Sequence, residues 1–348
     1  MAHNLTINAL GKAEMFYVGE SPWHGLGTRL ENVATSQEAL TAAYLNWTVE
    51  CRPIYLGNGT PIPGHWATVR TDTAEPLGVV GNLYTPIQNE EAFAFLDALL
   101  GEAAAMYHTA GSLRGGRKVW ALAKLPQDLV VVPEDVVNKF LLLLNSHDGS
   151  TAMTCRFVTT RVVCENTLNA ALRERGVTHQ VAVRHTPNVR ERVEEARRVL
   201  GISLKYFDVF GQRCQAMSAK QLNQKLLEAY FRAVIPLQAE GESEPSDHAK
   251  KVHEALAYLF EEGRGNRLRP VRGTLWAAYN AVTEYVDHMR GFTRNGNLRA
   301  NWEESALFGA GAEIKQRAHA AAMVFLKEGG LGGFWKRLRE RPLSRNER

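Results

Sequence analysis

Residues 106–124 read Met-Tyr-His-Thr-Ala-Gly-Ser-Leu-Arg-Gly-Gly-Arg-Lys-Val-Trp-Ala-Leu-Ala-Lys. Two extended runs flank the pair Gly115-Gly116, and Pro126 ends the second run. Both central residues of a tight hairpin turn need a positive φ, which glycine adopts without steric cost. The stretch therefore predicts a β-hairpin with Gly115 and Gly116 in its turn.

The tip of this hairpin is basic. Arg114, Arg117 and Lys118 flank the two glycines, and no acidic residue occurs in the whole quoted stretch. A basic tip that projects from a sheet favours contacts with nucleic-acid phosphates. Arg156 and Arg161, on a later predicted strand, extend the same surface. The alternative is that the tip is basic only because an exposed turn has to be polar.

Outward from the hairpin, the first 185 residues are rich in Val, Thr and aromatic residues punctuated by Gly and Pro, which favours strands. The predicted strands are Thr48–Tyr55, His65–Arg70, Gly78–Tyr84, Phe140–Asn145 and Ala152–Val163. Apolar residues at helical spacing predict a helix over Asn89–Leu100, and a second helix is predicted over Glu165–Arg175. This order predicts an α+β fold with an antiparallel sheet built from β-β-α units and a C-terminal helical region.

The second half of the chain has a helical pattern. Ser218-Ala-Lys-Gln221 is typical of a capping box, and further helices are predicted near 247–262, 274–290 and 302–328. We expect three regions: a β-rich core domain with an N-terminal arm over 1–185, a helical region over 186–330 with an acidic linker near 239–247, and a basic tail over 331–348.

Composition limits the class of protein. The chain has 348 residues, of which 45% are hydrophobic and 22% charged, which excludes a wholly disordered or collagen-like chain. No run of 18 apolar residues and no signal-peptide pattern occurs, so we expect a cytoplasmic protein without a membrane partner. The four cysteines lack C-x-x-C spacing and are expected to be free thiols. A net charge of +4 is too small to establish a polyanionic partner by itself.

Two other segments contain side chains with binding or catalytic chemistry. Trp23 is a candidate for stacking on a base and His24 for a phosphate contact, unless Trp23 only anchors an N-terminal arm. His147, Asp148 and Glu165 are candidates for a divalent-metal site. The spacing of His147 from the cysteines that follow it fits no standard zinc pattern, and a turn bonded by its own side chains is the favoured alternative. No metal and no cofactor are therefore predicted.

Four motifs together resemble a known family. They are Pro-Trp-His-Gly-Leu-Gly at 22–27, Gly-Val-Val-Gly-Asn-Leu-Tyr-Thr-Pro-Ile-Gln-Asn at 78–89, Asn-Ser-His-Asp-Gly-Ser at 145–150 and Arg-Val-Val-Cys-Glu-Asn-Thr-Leu at 161–168. In combination they are similar to the phage/plasmid-like proteins of domain of unknown function 932, over roughly residues 15–330. The resemblance implies a source in phages, plasmids or other mobile elements, and it supplies no catalytic residues.

A second resemblance is architectural. β-β-α units with a basic hairpin and a helical tail are similar to the annealing domain of phage recombination proteins such as Red-beta and RecT. This implies a homo-oligomer that holds single-stranded DNA in a basic groove and pairs strands without a cofactor. The leading hypothesis is a single-stranded-DNA-binding, strand-annealing protein that is not an enzyme. A metal-dependent enzyme acting on nucleic acid, and an anti-defence or regulatory protein that binds a host protein, are the alternatives.

Overall fold

The structure is a computed structural model, and it describes residues 4–19, 25–100, 106–161, 166–168, 180–185, 208–238, 244, 246–290 and 309–328. Only the backbone is described at residues 100, 160, 161, 166–168 and 180. The predicted features that lie outside the described residues are Trp23, His24, Glu165, the tail over 331–348 and most of the acidic segment near 239–247.

Strands and helices alternate in the first half of the chain, and helices dominate the second. The described strands are β1 (Met15–Val18), β2 (Thr28–Leu30), β3 (Val49–Tyr55), β4 (Pro61–Arg70), β5 (Pro76–Gly81), β6 (Met106–Leu113), β7 (Lys118–Lys124), β8 (Leu129–Val132), β9 (Asp135–Ser146), β10 (Met153–Arg161), β11 (Asn166–Leu168) and β12 (Gln180–Val183). The described helices are α1 (Ser36–Ala42), α2 (Asn89–Leu100), α3 (residues 208–219), α4 (Gln224–Val234), α5 (Asp247–Glu262), α6 (Leu275–Glu284) and α7 (Ala310–Glu328).

The strands form two sheets, and the predicted hairpin lies in the centre of the larger one. The larger sheet has the order β11-β10-β9-β7-β6-β1-β2, with β12 also beside β10 and β8 also beside β9. β6 and β7 pair antiparallel from Met106↔Lys124 to Leu113↔Lys118, whereas β1 and β2 pair in parallel. β3, β4 and β5 form a separate antiparallel meander. The mostly antiparallel sheets and the separate helices confirm the α+β class.

The helix α2 covers the central hairpin because its apolar stripe packs on β6. Phe93 and Leu96 are fully buried, and the ring of Phe93 stacks on the ring of Tyr107 with centroids 5.0 Å apart. The Tyr107 hydroxyl donates to the Phe93 carbonyl oxygen at 3.1 Å and to Asp97 Oδ1 at 2.9 Å. Burying a side chain such as Phe93 contributes about 1.5–3 kcal/mol, so this stripe fixes the helix on the sheet.

The chain packs into two compact units, each made of separate segments. Unit 1 comprises Met1–Asp128, Asn138–Val158 and Arg173–Lys205, and unit 2 comprises Leu129–Val137, Thr159–Leu172 and Tyr206–Arg348. Short strands such as β8 and β11 belong to unit 2, so this division does not follow a single cut in the sequence. The division of the sequence at residue 185 stays a prediction.

Unit 2 has a core of its own that contains several aromatic side chains. The fully buried Trp276 in α6 donates from Nε1 to Asp135 Oδ2 at 2.7 Å, and the hydroxyl of Tyr230 in α4 donates to a carbonyl oxygen of α7 at 3.0 Å. Lys315 is also fully buried, and its Nζ lies 2.7 Å from Asp287 Oδ1. None of the helices described in the chain is both long enough and apolar enough to cross a lipid bilayer.

Two local predictions were wrong. The predicted helix over Glu165–Arg175 is contradicted at Asn166–Leu168, which pairs with the outer part of β10 and satisfies its backbone hydrogen bonds there. The predicted capping box at Ser218 was also wrong, because Ser218 lies in the last turn of α3 and donates to the Gln215 carbonyl oxygen at 2.8 Å. Asn223 is the residue that caps α4.

Candidate functional site

The hairpin turn, residues 114–118, has a rigid backbone and exposed arginines. φ is positive at Arg114 (56°), Gly115 (71°) and Gly116 (96°), so both glycines have the conformation that the sequence predicts. Because Leu113 and Lys118 form the last pair, the loop has four residues where the sequence predicts two. Arg114 and Arg117 are exposed, and Lys118 is half-buried.

An ion-pair network that is buried except at Asp72 lies directly beneath this turn, and we call it the Arg70 cluster (Glu14, Trp47, Arg70, Asp72 and Ser112). Arg70 is 2% exposed; its Nη2 lies 2.8 Å from Glu14 Oε1 and 2.7 Å from Asp72 Oδ2. Its guanidinium carbon is 4.2 Å from the centroid of the Trp47 ring, at cation–π distance. Hydrogen bonding to Arg70 lowers the pKa of Asp72 against the opposing effect of burial. The Ser112 hydroxyl donates to Glu14 Oε2 at 2.7 Å.

The turn packs so closely on this cluster that only glycine fits at its end. A Cβ atom on Gly116 would lie 3.0 Å from Arg70 Cδ and 3.1 Å from Trp47 Cη2. The turn is also held from the N-terminal segment, since Arg114 N donates to the Asn4 carbonyl oxygen at 2.7 Å and Gly116 N to Thr6 Oγ1 at 3.1 Å. These contacts fix the backbone from which the basic side chains extend.

Trp47 also contacts a buried histidine. His147 is fully buried, and its ring centroid lies 5.3 Å from that of Trp47 in an edge-on arrangement. His147 Nε2 is 2.9 Å from Asn89 Oδ1, and because that oxygen only accepts, Nε2 carries the proton. Burial lowers the pKa of His147 to about 3, so the ring is neutral at pH 7.

Asp148 does not join His147 in a metal site. Its carboxylate accepts from the Ser146 hydroxyl at 2.5 Å and from Ser150 N at 2.9 Å, which are the bonds of a turn closed by its own side chains. Burial raises the pKa of Asp148, but the bonds from Ser146 and Ser150 outweigh it, and the net effect lowers the pKa. Among the described residues, no group of three His, Cys, Asp or Glu side chains is arranged to hold a metal ion.

A cavity of about 690 Å³ opens beside the same turn, and we call it the Tyr84–His185 cavity. It is lined by residues 81–84, residues 149–152, Arg184 and His185. The rings of Tyr84 and His185 stack with centroids 4.8 Å apart and planes 11° from parallel. Burial lowers the pKa of His185 to about 4, against a smaller opposing effect of the Thr85 backbone. Arg184 is exposed, so the described part of the lining contains two stacked aromatic rings and an arginine.

Two of the motifs quoted from the sequence pack directly against each other around these groups. A Cβ on Gly78 would lie 2.5 Å from the Asp148 carbonyl oxygen, so β5 and the 147–150 turn touch through their backbones. The Tyr84 hydroxyl donates to the Ser146 carbonyl oxygen at 3.0 Å. With the contact between Asn89 and His147, these bonds join residues 78–89 to residues 145–150.

The remaining predicted phosphate contacts are separated from the hairpin turn. Arg156 lies on β10, which β9 separates from the hairpin strand β7. Its side chain is half-buried, and burial lowers the pKa of Arg156 to about 10. Arg161 lies opposite Asn166 of β11 at the end of β10, and only its backbone is described. The structure thus brings together Arg114, Arg117 and Lys118 alone among the described candidates.

Several residues of the site were missed by sequence reasoning. Glu14 and Arg70 are 56 positions apart, and no spacing rule connects an acidic residue near the N-terminus to an arginine at the end of a strand. Trp47 and His185 were missed for the same reason. The sequence did draw attention to Tyr84 and Asn89, because both lie in the 78–89 motif that resembles the family.

Fold and site together define an α+β protein whose sequence motifs meet around buried polar groups. Residues 76–307, about two thirds of the chain, match the family described as Domain of unknown function (DUF932). The chain belongs to this family, which confirms the family resemblance. No curated protein and no solved structure matches the chain. The architectural similarity to Red-beta and RecT stays a hypothesis.

Proposed function

We propose that this chain binds single-stranded DNA through phosphate contacts at the hairpin turn, assembles as a homo-oligomer and anneals complementary strands. The observation that carries the proposal is the pair of exposed arginines, Arg114 and Arg117, on a turn with a fixed backbone. Because hydrogen bonds already order the backbone of this turn, phosphate binding has to order only the arginine side chains. Phosphate contacts position a strand without reading its sequence, which suits an annealing protein.

The basic turn continues toward the Tyr84–His185 cavity. His147 N donates to the Arg117 carbonyl oxygen at 2.8 Å, and Lys118 pairs with Ser146 across β7 and β9. The 146–150 turn therefore lies beside the basic residues, and its last two residues line the cavity together with the exposed Arg184. A strand held at the hairpin turn would have aromatic and hydrogen-bonding groups within reach, as single-strand-binding surfaces require.

An acidic neighbour moderates this surface. The exposed Glu75 lies close to the turn, with its Oε2 3.7 Å from the position of a Cβ on Gly115. Its carboxylate reduces the positive potential that a phosphate would meet. Glu75→Gln should therefore raise the affinity for DNA, which is the opposite of the effect of removing a base.

The decisive experiment is a salt series with a labelled oligothymidylate. Arg114→Gln, Arg117→Gln and Lys118→Gln, combined in one variant, should lower affinity and flatten the slope of log affinity against log salt. Each lost contact with a single strand removes about 0.7 of slope, so three lost contacts remove about two units. The rate of annealing of complementary oligonucleotides should fall in the same variant.

The control variant replaces Arg267, Arg269 and Arg272, three exposed arginines of unit 2, by Gln. It makes the same change in net charge at residues that are not part of the hairpin turn, so its slope should stay close to that of the parent. Equal slopes for the parent and the hairpin variant would contradict the proposal, and equal losses in both variants would mean that only net charge matters. Light scattering of the parent protein tests the oligomer.

A metal-dependent nuclease is not favoured by the described residues. His147 is buried and bonded to Asn89, and Asp148 is bonded within its own turn. No described observation favours a host-protein partner over DNA.

A further inference from the structure

A second cavity opens in unit 1 beside the hairpin turn, and we call it the Glu75 cavity. It has a volume of about 1050 Å³, which is close to the upper end of the size range of small-molecule sites. The N-terminal segment 4–10, the end of α1 with the segment that follows it, the turn between β4 and β5, and the hairpin turn all line it. The charged residues in its described lining are Glu14, Arg70, Asp72, Glu75 and Arg114.

The backbone around this cavity is strained. Five described residues other than glycine have a positive φ, and four of them lie in the wall of the cavity or next to a residue of the wall: Asn4 (52°), Tyr44 (56°), Ala74 (57°) and Arg114 (56°). Residues with a Cβ atom rarely adopt this conformation, and those that do are concentrated at ligand sites. The strain therefore indicates that the wall of this cavity does more than pack.

Glu75 is the carboxylate in the described lining that is available to a ligand. The carboxylate of Glu14 already accepts from Arg70 and Ser112, and both oxygens of Asp72 accept from Arg70. Glu75 is exposed, and among the described residues no hydrogen bond or ion pair involves its carboxylate. Its two oxygens can therefore accept hydrogen bonds from a bound molecule.

The Glu75 carboxylate is held beside the basic residues of the hairpin turn. Arg70 N donates to the Glu75 carbonyl oxygen and Ala74 N to the Arg70 carbonyl oxygen, both at 3.0 Å, so Glu75 extends from a closed turn. Its Oε2 lies 3.7 Å from the position of a Cβ on Gly115. The exposed Arg114 lines the same cavity, so a ligand there meets both a carboxylate and a guanidinium.

These two groups select a guanine nucleotide among the components of a DNA strand. A carboxylate only accepts hydrogen bonds, and its oxygens accept side by side. Guanine has two neighbouring donors, N1–H and the N2 amine, whereas each of the other three bases has an acceptor next to its donor. The guanidinium of Arg114 suits the phosphate attached to the base. Tyr44 and Leu10, which also line the cavity, offer surfaces against which the face of a base can stack.

We propose that the Glu75 cavity binds one guanine base, with Glu75 accepting from N1–H and the N2 amine and Arg114 contacting the attached phosphate. The proposal rests on the proposed function, since the base belongs to a strand whose phosphates lie along the hairpin turn. The hairpin turn holds any strand, and the cavity favours the register that places a guanine beside Glu75. The carboxylate that weakens the binding of other strands thus strengthens the binding of this one.

Three labelled strands test the base contact in the full chain: an oligothymidylate, the same strand with one central deoxyguanosine, and the same strand with one central deoxyinosine. The base of inosine differs from guanine only in lacking the N2 amine. The guanine strand should bind about ten times tighter than the inosine strand, because a hydrogen bond to a charged acceptor contributes at least that factor. Equal binding of the guanine and inosine strands would overturn the proposal.

Glu75→Gln locates the contact. Glutamine offers one acceptor and one donor in place of two acceptors, so the variant should no longer distinguish guanine from inosine. It should bind oligothymidylate tighter than the parent, as expected when a negative charge beside the phosphates is removed. Glu254→Gln is the matched control, since it makes the same charge change at an exposed residue of unit 2 and should keep the preference for guanine. A preference retained in Glu75→Gln would show that another residue contacts the base.

Titration calorimetry with guanosine and inosine 5′-monophosphates separates this proposal from the proposed function. The guanosine nucleotide should bind about ten times tighter than the inosine nucleotide. That preference without any affinity for DNA would overturn the proposed function alone. Salt-dependent DNA binding that is lost in the hairpin variant, with equal binding of the guanine and inosine strands by the parent, would overturn the cavity proposal alone. If neither DNA nor either mononucleotide bound, both proposals would be wrong.

Discussion

Replacing Arg70 tests whether the buried ion pair beneath the hairpin turn stabilises unit 1. Arg70→Met keeps an apolar stem of similar length but leaves the carboxylate of Glu14, which is 1% exposed, without its counter-charge. Removing one partner of a buried pair costs about 3–5 kcal/mol, because the remaining charge is left desolvated. Loss of the contact with Trp47 adds about 0.5–2 kcal/mol. We therefore expect the free energy of unfolding to fall by at least about 3 kcal/mol.

The assay is urea unfolding at pH 7, followed by tryptophan fluorescence. Arg52→Met is the matched control, since Arg52 is an exposed arginine of β3 that pairs with the exposed Glu50, and its loss should cost less than about 1 kcal/mol. Glu14→Gln combined with Arg70→Met should cost less than the sum of the single variants, because neither partner is then left as an unpaired charge. A folded Arg70→Met variant as stable as Arg52→Met would refute this reasoning.

Two further predictions concern the contact between the two packed motifs. Gly78→Ala should destabilise the chain by more than about 2 kcal/mol, because its Cβ would lie 2.5 Å from the Asp148 backbone. Gly81→Ala on the same strand is the control and should change stability little, because its Cβ would meet nothing within 4 Å. The urea midpoints of the two variants test this difference. The buried His147 has its pKa lowered from 6.5 to about 3, so the unfolded state binds more protons and stability falls as the pH drops from about 6.5 toward 3. His147→Gln should reduce the slope of the free energy of unfolding against pH by up to about 1.4 kcal/mol per pH unit. An unchanged pH profile of stability would show that His147 is not the cause of the loss.

Local patterns in the sequence predict most of the strands and helices that the structure describes. The hairpin of β6 and β7 follows from the two glycines, and α2 follows from the apolar spacing of Ala92, Phe93 and Leu96. The order of strands in the sheet could not be predicted in this way. β1 lies between β6 and β2 because residues far apart in the chain bury the same apolar surface, and no local pattern carries that information.

The residues of the candidate site were predictable only where they lie close together in the sequence. The basic residues of the hairpin turn were found because they surround the two glycines. The strand predicted over Gly78–Tyr84 ends at Gly81, because Tyr84 leaves the meander to stack on His185. That contact joins residues 101 positions apart, so the cavity follows from tertiary packing and has no counterpart in local spacing.

The Arg70 cluster also explains how a weakly patterned N-terminal segment reaches a single register. β1 has only four residues, so its apolar pattern distinguishes poorly between neighbouring registers. A slip by one residue would turn the side chain of Glu14 to the opposite face and separate it from both Arg70 and Ser112. Because the buried carboxylate of Glu14 would then be left without a counter-charge, the alternative register is disfavoured by several kcal/mol, on the order of the cost of one broken buried pair. The same register brings Asn4 and Thr6 to the hairpin turn, where they accept hydrogen bonds from Arg114 N and Gly116 N. The Arg70 cluster therefore also helps to position the backbone of the basic turn, although it requires charged groups to be buried.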